Sequence, residues 1–198
     1  MAAQIPPGKL LPAPGFTKPD WSALSRQWDR QVAAEDRASR KDLIASYERS
    51  EITIGHDDDD TQDASTKYDP AHTYGWDNET PSRRVEVPAF KISHLPISNS
   101  DYFAYYKAEG MKKEMLPGCW MQQEDGSIGV RVLAEPGVVP FGVAKDWPCM
   151  AAGKQLEAYA KSVGGRLPTE KELRRYTLDN PVDHVGANIG FANWHPVP

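Results

Sequence analysis

Gly164-Gly165-Arg166-Leu167-Pro168-Thr169-Glu170-Lys171-Glu172 decides how the second half of the chain is built. Gly164 offers the left-handed backbone position that commonly stops a helix. Upstream of it Ala152, Leu156, Tyr159, Ala160 and Val163 recur at helical spacing on one face. Thr169 and Glu172 form a T-x-x-E capping box, in which the hydroxyl accepts from the amide three residues on and the carboxylate reaches back. A second helix therefore starts at Thr169 and is expected to carry Leu173, Tyr176 and Thr177 inward. By itself the stretch is a helix–turn–helix connection without chemistry, and Arg166 is expected to tie the turn to neighbouring carbonyls.

Moving outward, Asp146-Trp147-Pro148 leads into the first of these helices. Residues 111–148 carry turn signals at Pro117-Gly118, Asp125-Gly126 and Pro136-Gly137, with one strand expected over Ser127–Leu133 and the rest irregular. Ser98 and Asp101 make another capping box, opening a helix that carries Tyr102, Phe103, Tyr105 and Tyr106 and stops at Gly110. These rings read as packing rather than a ligand-stacking cage. Alternation at Val85 and Val87, continued through Phe90 and Ile92, predicts half-buried strand, and Ile52–Gly55 predicts another. Asp20 caps a helix expected to run to about Tyr47, with Trp21, Leu24, Trp28 and Val32 as its apolar stripe. The first 19 residues hold five prolines and two glycines and read as extended or disordered. The expected division is an N-terminal segment over 1–19, a leading amphipathic helix over 20–47 and one domain over 48–198.

The 198 residues suffice for a single domain with a real core. Six tryptophans and eight tyrosines in a loop-rich chain point to a core built from aromatics. A net charge of −5 argues against nucleic-acid binding, and no apolar run approaches the ~20 residues that span a bilayer. Cys119 and Cys149 lack C-x-x-C spacing, which suits a reducing, cytoplasmic compartment.

A search for chemistry finds little. His56 beside Asp57–Asp60 invites a metal site, but consecutive loop residues rarely converge on one ion, and a solvated acidic loop is the better reading. The five histidines show no H-x-x-x-H or H-E-x-x-H spacing. Nothing near either cysteine in sequence lowers its pKa, so neither reads as a nucleophile. No G-x-G-x-x-G, P-loop or G-x-S-x-G motif occurs.

Four pieces in order are more specific than any one alone. They are the strand at Ile52–Gly55, Gly75-Trp76-Asp77-Asn78-Glu79-x-Pro81 with Val85–Phe90, Pro96-Ile97-Ser98-Asn99-Ser100-Asp101-Tyr102, and the Gly164–Glu170 turn. The series resembles the formylglycine-generating-enzyme (sulfatase-modifying factor) superfamily. Asp146-Trp147-Pro148 and Gly190-Phe191-x-x-Trp194-His195-Pro196-Val197-Pro198 are most similar to the C-terminal part of fungal ergothioneine-biosynthesis sulfoxide synthases. The resemblance implies an α+β, C-type-lectin-like fold. It also implies an oxygen-dependent C–S bond formation between hercynine and cysteine or γ-glutamylcysteine, at an iron(II) ion held by three histidines of a separate helical-bundle domain. Asn193, Trp194 and His195 would lie nearest the substrate pocket; no catalytic residue, iron ligand or other metal ligand is expected here. Asn188-Ile189 resembles a calcium-binding position of the formylglycine-generating branch, without its acidic partners. Relatives continue past the position of Pro198 into a V-W-E-W-type segment. The chain is therefore expected to be a partial domain, incomplete at its C-terminus, partnered by the helical bundle or by that segment and not catalytic alone. The other functional classes are a non-catalytic lectin-like binding or interaction module, and cysteine oxidation to formylglycine, which needs a secretory route and reactive cysteines.

Overall fold

Local capping sets the helix starts. In the computed structural model, which describes residues 19–34, 44–57, 76–133, 137–181, 188, 193 and 195–198, both expected capping boxes form. Glu172 Oε2 accepts from Thr169 N at 2.7 Å, and Asp101 Oδ2 accepts from Ser98 N at 3.0 Å. The chain forms two compact units, one of Met1–Leu43, Leu95–Leu167 and His184–Pro198, the other of Ile44–His94 and Pro168–Asp183.

The first unit begins with α1 (Trp21–Ala34), where Asp20 Oδ1 accepts from Ala23 N at 2.9 Å. α2 (Asn99–Ala108) lays Tyr102 and Tyr106 into the core, and their phenols donate to Met115 O and Met111 O at 2.9 and 3.0 Å. It ends at Gly110, whose φ of 77° is the left-handed position foreseen for the stop. A short 3₁₀ turn (Lys113–Met115) leads to β5 (Trp120–Gln122), which follows the four strands of the second unit in chain order. β5, β6 (Ile128–Arg131) and β7 (Val138–Pro140) form an antiparallel sheet with β6 in the middle. The sequence reading foresees only the middle strand of this sheet. Its neighbours have three residues each, too few for alternation to show. α3 (Phe141–Ala144) and α4 (Gly153–Ser162) complete the unit, and α4 ends at Gly164 with φ 77°. Its core is aromatic, with Trp28, Tyr102, Tyr106, Trp120 and Trp147 all buried.

The second unit pairs β1 (Ile44–Tyr47) with β4 (Phe90–Ser93), and β2 (Ser50–Ile54) with β3 (Arg83–Val87). Here the reading of a helix to Tyr47 is corrected: among the described residues the helix covers Trp21–Ala34, and Ile44–Tyr47 is a strand. The cause is cross-strand packing, since Tyr47 stacks on Phe90 at 4.9 Å with planes 12° apart. α5 (Glu170–Asp179) meets this surface through Tyr176, set edge-on to Tyr47 at 6.2 Å, while Lys171 Nζ donates to Glu86 O at 2.9 Å. The inward face of α5 is also corrected. Glu172 is buried and Tyr176 partly so, whereas Leu173 and Thr177 are exposed. The capping carboxylate fixes which stripe turns inward, and residue 176 lies one turn below 172, so 173 and 177 are rotated out. Val163, read as part of the apolar face of the preceding helix, is likewise exposed just beyond the end of α4.

No helix among the described residues is long and apolar enough to cross a membrane. Mixed helices and small antiparallel sheets make this an α+β protein.

Candidate functional site

The C-terminal segment is built against Trp147. That residue is pinned by its backbone: its N–H donates to Ala144 O at 3.1 Å and its carbonyl accepts from Asn99 N at 2.9 Å. At the next two residues, Ser98 bridges to Pro148 and Cys149 N donates to Ile97 O at 2.8 Å, closing the segment onto the start of α2. Asn99 is the polar node of this arrangement. Its Nδ2 donates to Ala144 O at 2.8 Å and its Oδ1 accepts from Trp120 Nε1 at 2.9 Å, with 1% of the residue exposed. Its place in the Pro96–Tyr102 motif does not foretell its burial, because a polar residue directly after a helix cap normally faces water.

Trp147 gathers a ring of aromatics. His195 lies nearly parallel to it at 6.1 Å and 17° and meets the edges of Trp21 and Trp28 at 5.3 and 5.7 Å. Asn188 acts as a clasp, donating from Nδ2 to His195 O at 2.9 Å and accepting the Asn193 N–H on Oδ1 at 3.0 Å. His195 Nδ1 lies 2.8 Å from Pro196 O, an acceptor only, so the Nδ1–H donates there.

Of the three residues expected nearest a substrate, His195 is 9% exposed within the aromatic ring, Asn193 is exposed, and Trp194 lies outside the described residues. The Trp147 Nε1–H is buried without a hydrogen-bond partner among the described residues. An orphaned donor of this kind is rare in a packed interior.

The cysteines are held as thiols. Cys119 Sγ donates to Met150 O at 3.1 Å, and burial raises its pKa. Burial, then the neighbouring Cys119 and Asp101, push the Cys149 thiol up to about 12. Neither is a ready nucleophile. His56 and Asp57 belong to the second unit. Asp57 accepts from Ser82 N at 2.9 Å, and Asp58–Asp60 lie outside the described residues. Among the described residues no three His, Cys, Asp or Glu side chains converge to hold a metal ion. Arg166 behaves as its sequence context suggests, with Nη1 donating to Leu167 O at 3.0 Å.

With this geometry in view, residues 48–194 match the sulfatase-modifying factor enzyme 1-like domain. The chain belongs to that family. Among curated proteins it is 34% identical over 131 residues to ergothioneine biosynthesis protein 1 of Schizosaccharomyces pombe, covering 63% of this chain and 17% of that protein. It is 32% identical over 193 residues to ergothioneine biosynthesis protein 1 of Neurospora crassa, covering 84% of this chain and 20% of the relative. The hercynine oxygenase of Mycolicibacterium thermoresistibile is 32% identical over 117 residues, covering 54% of this chain and 26% of the enzyme. The chain thus spans a minor part of each relative's length.

Proposed function

We propose that this chain is the substrate-binding portion of an ergothioneine-pathway sulfoxide synthase. It would handle hercynine and a cysteine-bearing thiol, with iron held by a separate helical-bundle domain. The observation that carries the reading is the similarity to the Neurospora protein over 84% of the chain. The scaffold in this reading is a C-type-lectin-like variant, and the work of the chain is to bind and orient.

When bound, iron would supply the oxygen chemistry, but the donor set here does not suit it. No group of three possible ligands converges among the described residues, and both thiols retain their protons. No step is therefore routed through a metal on this chain. Among the described residues of the segment Asn193 is exposed, and in this reading its side chain meets the ligand. His195 is a positioning residue, wedged among Trp21, Trp28 and Trp147 and tied to Asn193 through the Asn188 clasp. The Trp147 Nε1–H, without a partner among the described residues, supports the same reading, since it offers a buried donor for an acceptor brought by a ligand or by adjoining polypeptide.

The test is titration of the purified chain with hercynine, followed by backbone amide NMR, and assay with γ-glutamylcysteine, iron(II) and oxygen. Saturable shifts at Asn193 are expected, with no sulfoxide from the chain alone and product once a fungal helical-bundle domain is added in trans. Turnover by the chain alone would overturn the division of labour. A folded chain that ignores hercynine would instead be a non-catalytic binding or interaction module.

A further inference from the structure

A concavity lies wholly within the second unit, away in sequence from the Asn193–His195 segment. It is a cleft of ≈ 420 Å³ between the end of the β2–β3 ladder, the turn at Asn78–Glu79 and one face of α5. That volume is in the range of small-molecule sites. Its floor is backbone drawn tight. Gly55 has φ +89°, and a Cβ there would stand 2.6 Å from Glu79 O. His56 N donates to Glu79 O at 2.9 Å, Glu79 N to Trp76 O at 2.8 Å, and Trp76 N to Glu79 Oε2 at 3.0 Å.

These bonds fix the rim through the main chain and one carboxylate oxygen. They leave the side chains of His56, Asn78 and Arg83 without a hydrogen-bond or ion-pair partner among the described residues, though all three line the cleft. From α5 come Glu170, Arg174 and Thr177, at i, i+4 and i+7 on one face. Glu170 and Arg174 approach only to 3.9 Å and remain well exposed, a pair that a ligand can divide at little cost.

The charges select the ligand. Two guanidiniums, Arg83 and Arg174, face the same space as two carboxylates, Glu79 and Glu170. A simple anion would meet the carboxylates, and a metal cation finds no converging set of three ligands among the described residues. A small molecule carrying both charges satisfies both pairs. We propose that this cleft binds the zwitterionic head of a free α-amino acid, its carboxylate on Arg83 and Arg174 and its ammonium on Glu79 and Glu170. Guanidinium is suited to the first contact because its planar donor fork matches a carboxylate. The proposal does not rest on the ergothioneine reading, since none of the residues 193–195 takes part.

The experiment is calorimetric titration of the full chain with L-alanine, acetate, methylammonium and betaine (trimethylglycine). L-Alanine is expected to bind saturably, and the three other probes roughly tenfold more weakly or worse, because each lacks one charge or the ammonium N–H donors. Arg83→Gln and Arg174→Gln are each expected to weaken L-alanine by about tenfold or more, with Arg83→Lys recovering part of the loss. Because both arginines are exposed, thermal melting should not move. In the unaltered protein, amide shifts on L-alanine addition are expected at His56 and Asn78, a readout independent of any variant. Equal binding of acetate and L-alanine, equal binding of betaine, or no saturation by L-alanine would each overturn the proposal.

Discussion

The indole N–H of Trp120 donates to Asn99 Oδ1 at 2.9 Å, joining two side chains that are both sealed from solvent. The same amide donates to Ala144 O at 2.8 Å, so one side chain satisfies a strand residue and a helix carbonyl at once. Asn99→Ala would orphan both partners in the core. A loss of about 2–4 kcal/mol is expected, measured by chemical denaturation, because each unsatisfied buried group costs about 1–3 kcal/mol. A change within experimental error would show that the node is dispensable.

Trp28 and Trp76 give a contrast between aromatic residues. Trp28 is 6% exposed and meets Trp147 edge-on at 5.7 Å, whereas Trp76 is 78% exposed. Trp28→Ala should destabilise by about 3–5 kcal/mol, in line with large-to-small changes in cores. Trp76→Ala should change stability by less than ~0.5 kcal/mol. Thermal melts of the two variants side by side test whether α1 is an integral part of the first unit.

Glycine substitutions separate backbone conformation from space. Gly55 and Gly110 both have positive φ, at 89° and 77°. Around Gly110 nothing stands within 4 Å of an added Cβ, so Gly110→Ala should lose only the left-handed penalty, about 1–2 kcal/mol. At Gly55 the Cβ would meet Glu79 O at 2.6 Å, and the loss should be clearly larger. Unfolding free energies that place the two variants level would contradict this ordering.

The thiols set a pH dependence at the alkaline end. Burial holds Cys149 protonated up to about 12, above the 9.0 of an unperturbed thiol. The folded chain therefore keeps the proton that the unfolded chain releases first. Its contribution to stability is complete below about pH 9 and declines as pH rises towards the folded value. Cys149→Ser or Cys149→Ala should flatten that alkaline decline in denaturation measured across pH 8 to 11, a range roughly spanning the unperturbed thiol pKa. Alkylation of the folded protein at neutral pH should also be far slower than that of the urea-unfolded chain.

Elements with strong local chemistry were legible in the sequence. The capping boxes at Ser98 and Thr169, the glycine stops at Gly110 and Gly164, and the strands around Ile52 and Val85 follow from short-range rules, and the structure forms each one. What escaped was set by distant partners. Ile44–Tyr47 becomes a strand through Phe90, and Leu173 turns outward because Glu172 is buried by its capping role. The site shows the same division. The Asn188-to-His195 segment can be picked out by its residues, but the Asn99 node and the mixed-charge cleft at Arg83 and Arg174 exist only once strands and helix are assembled.

The family match begins at residue 48, yet the aromatic ring around Trp147 is closed by Trp21 and Trp28 of α1. The recognisable module and the portion that seals its own interior therefore have different edges. Anyone transplanting or swapping this domain at the boundary of similarity would carry away an open socket. The upstream helix is the stopper and should travel with it.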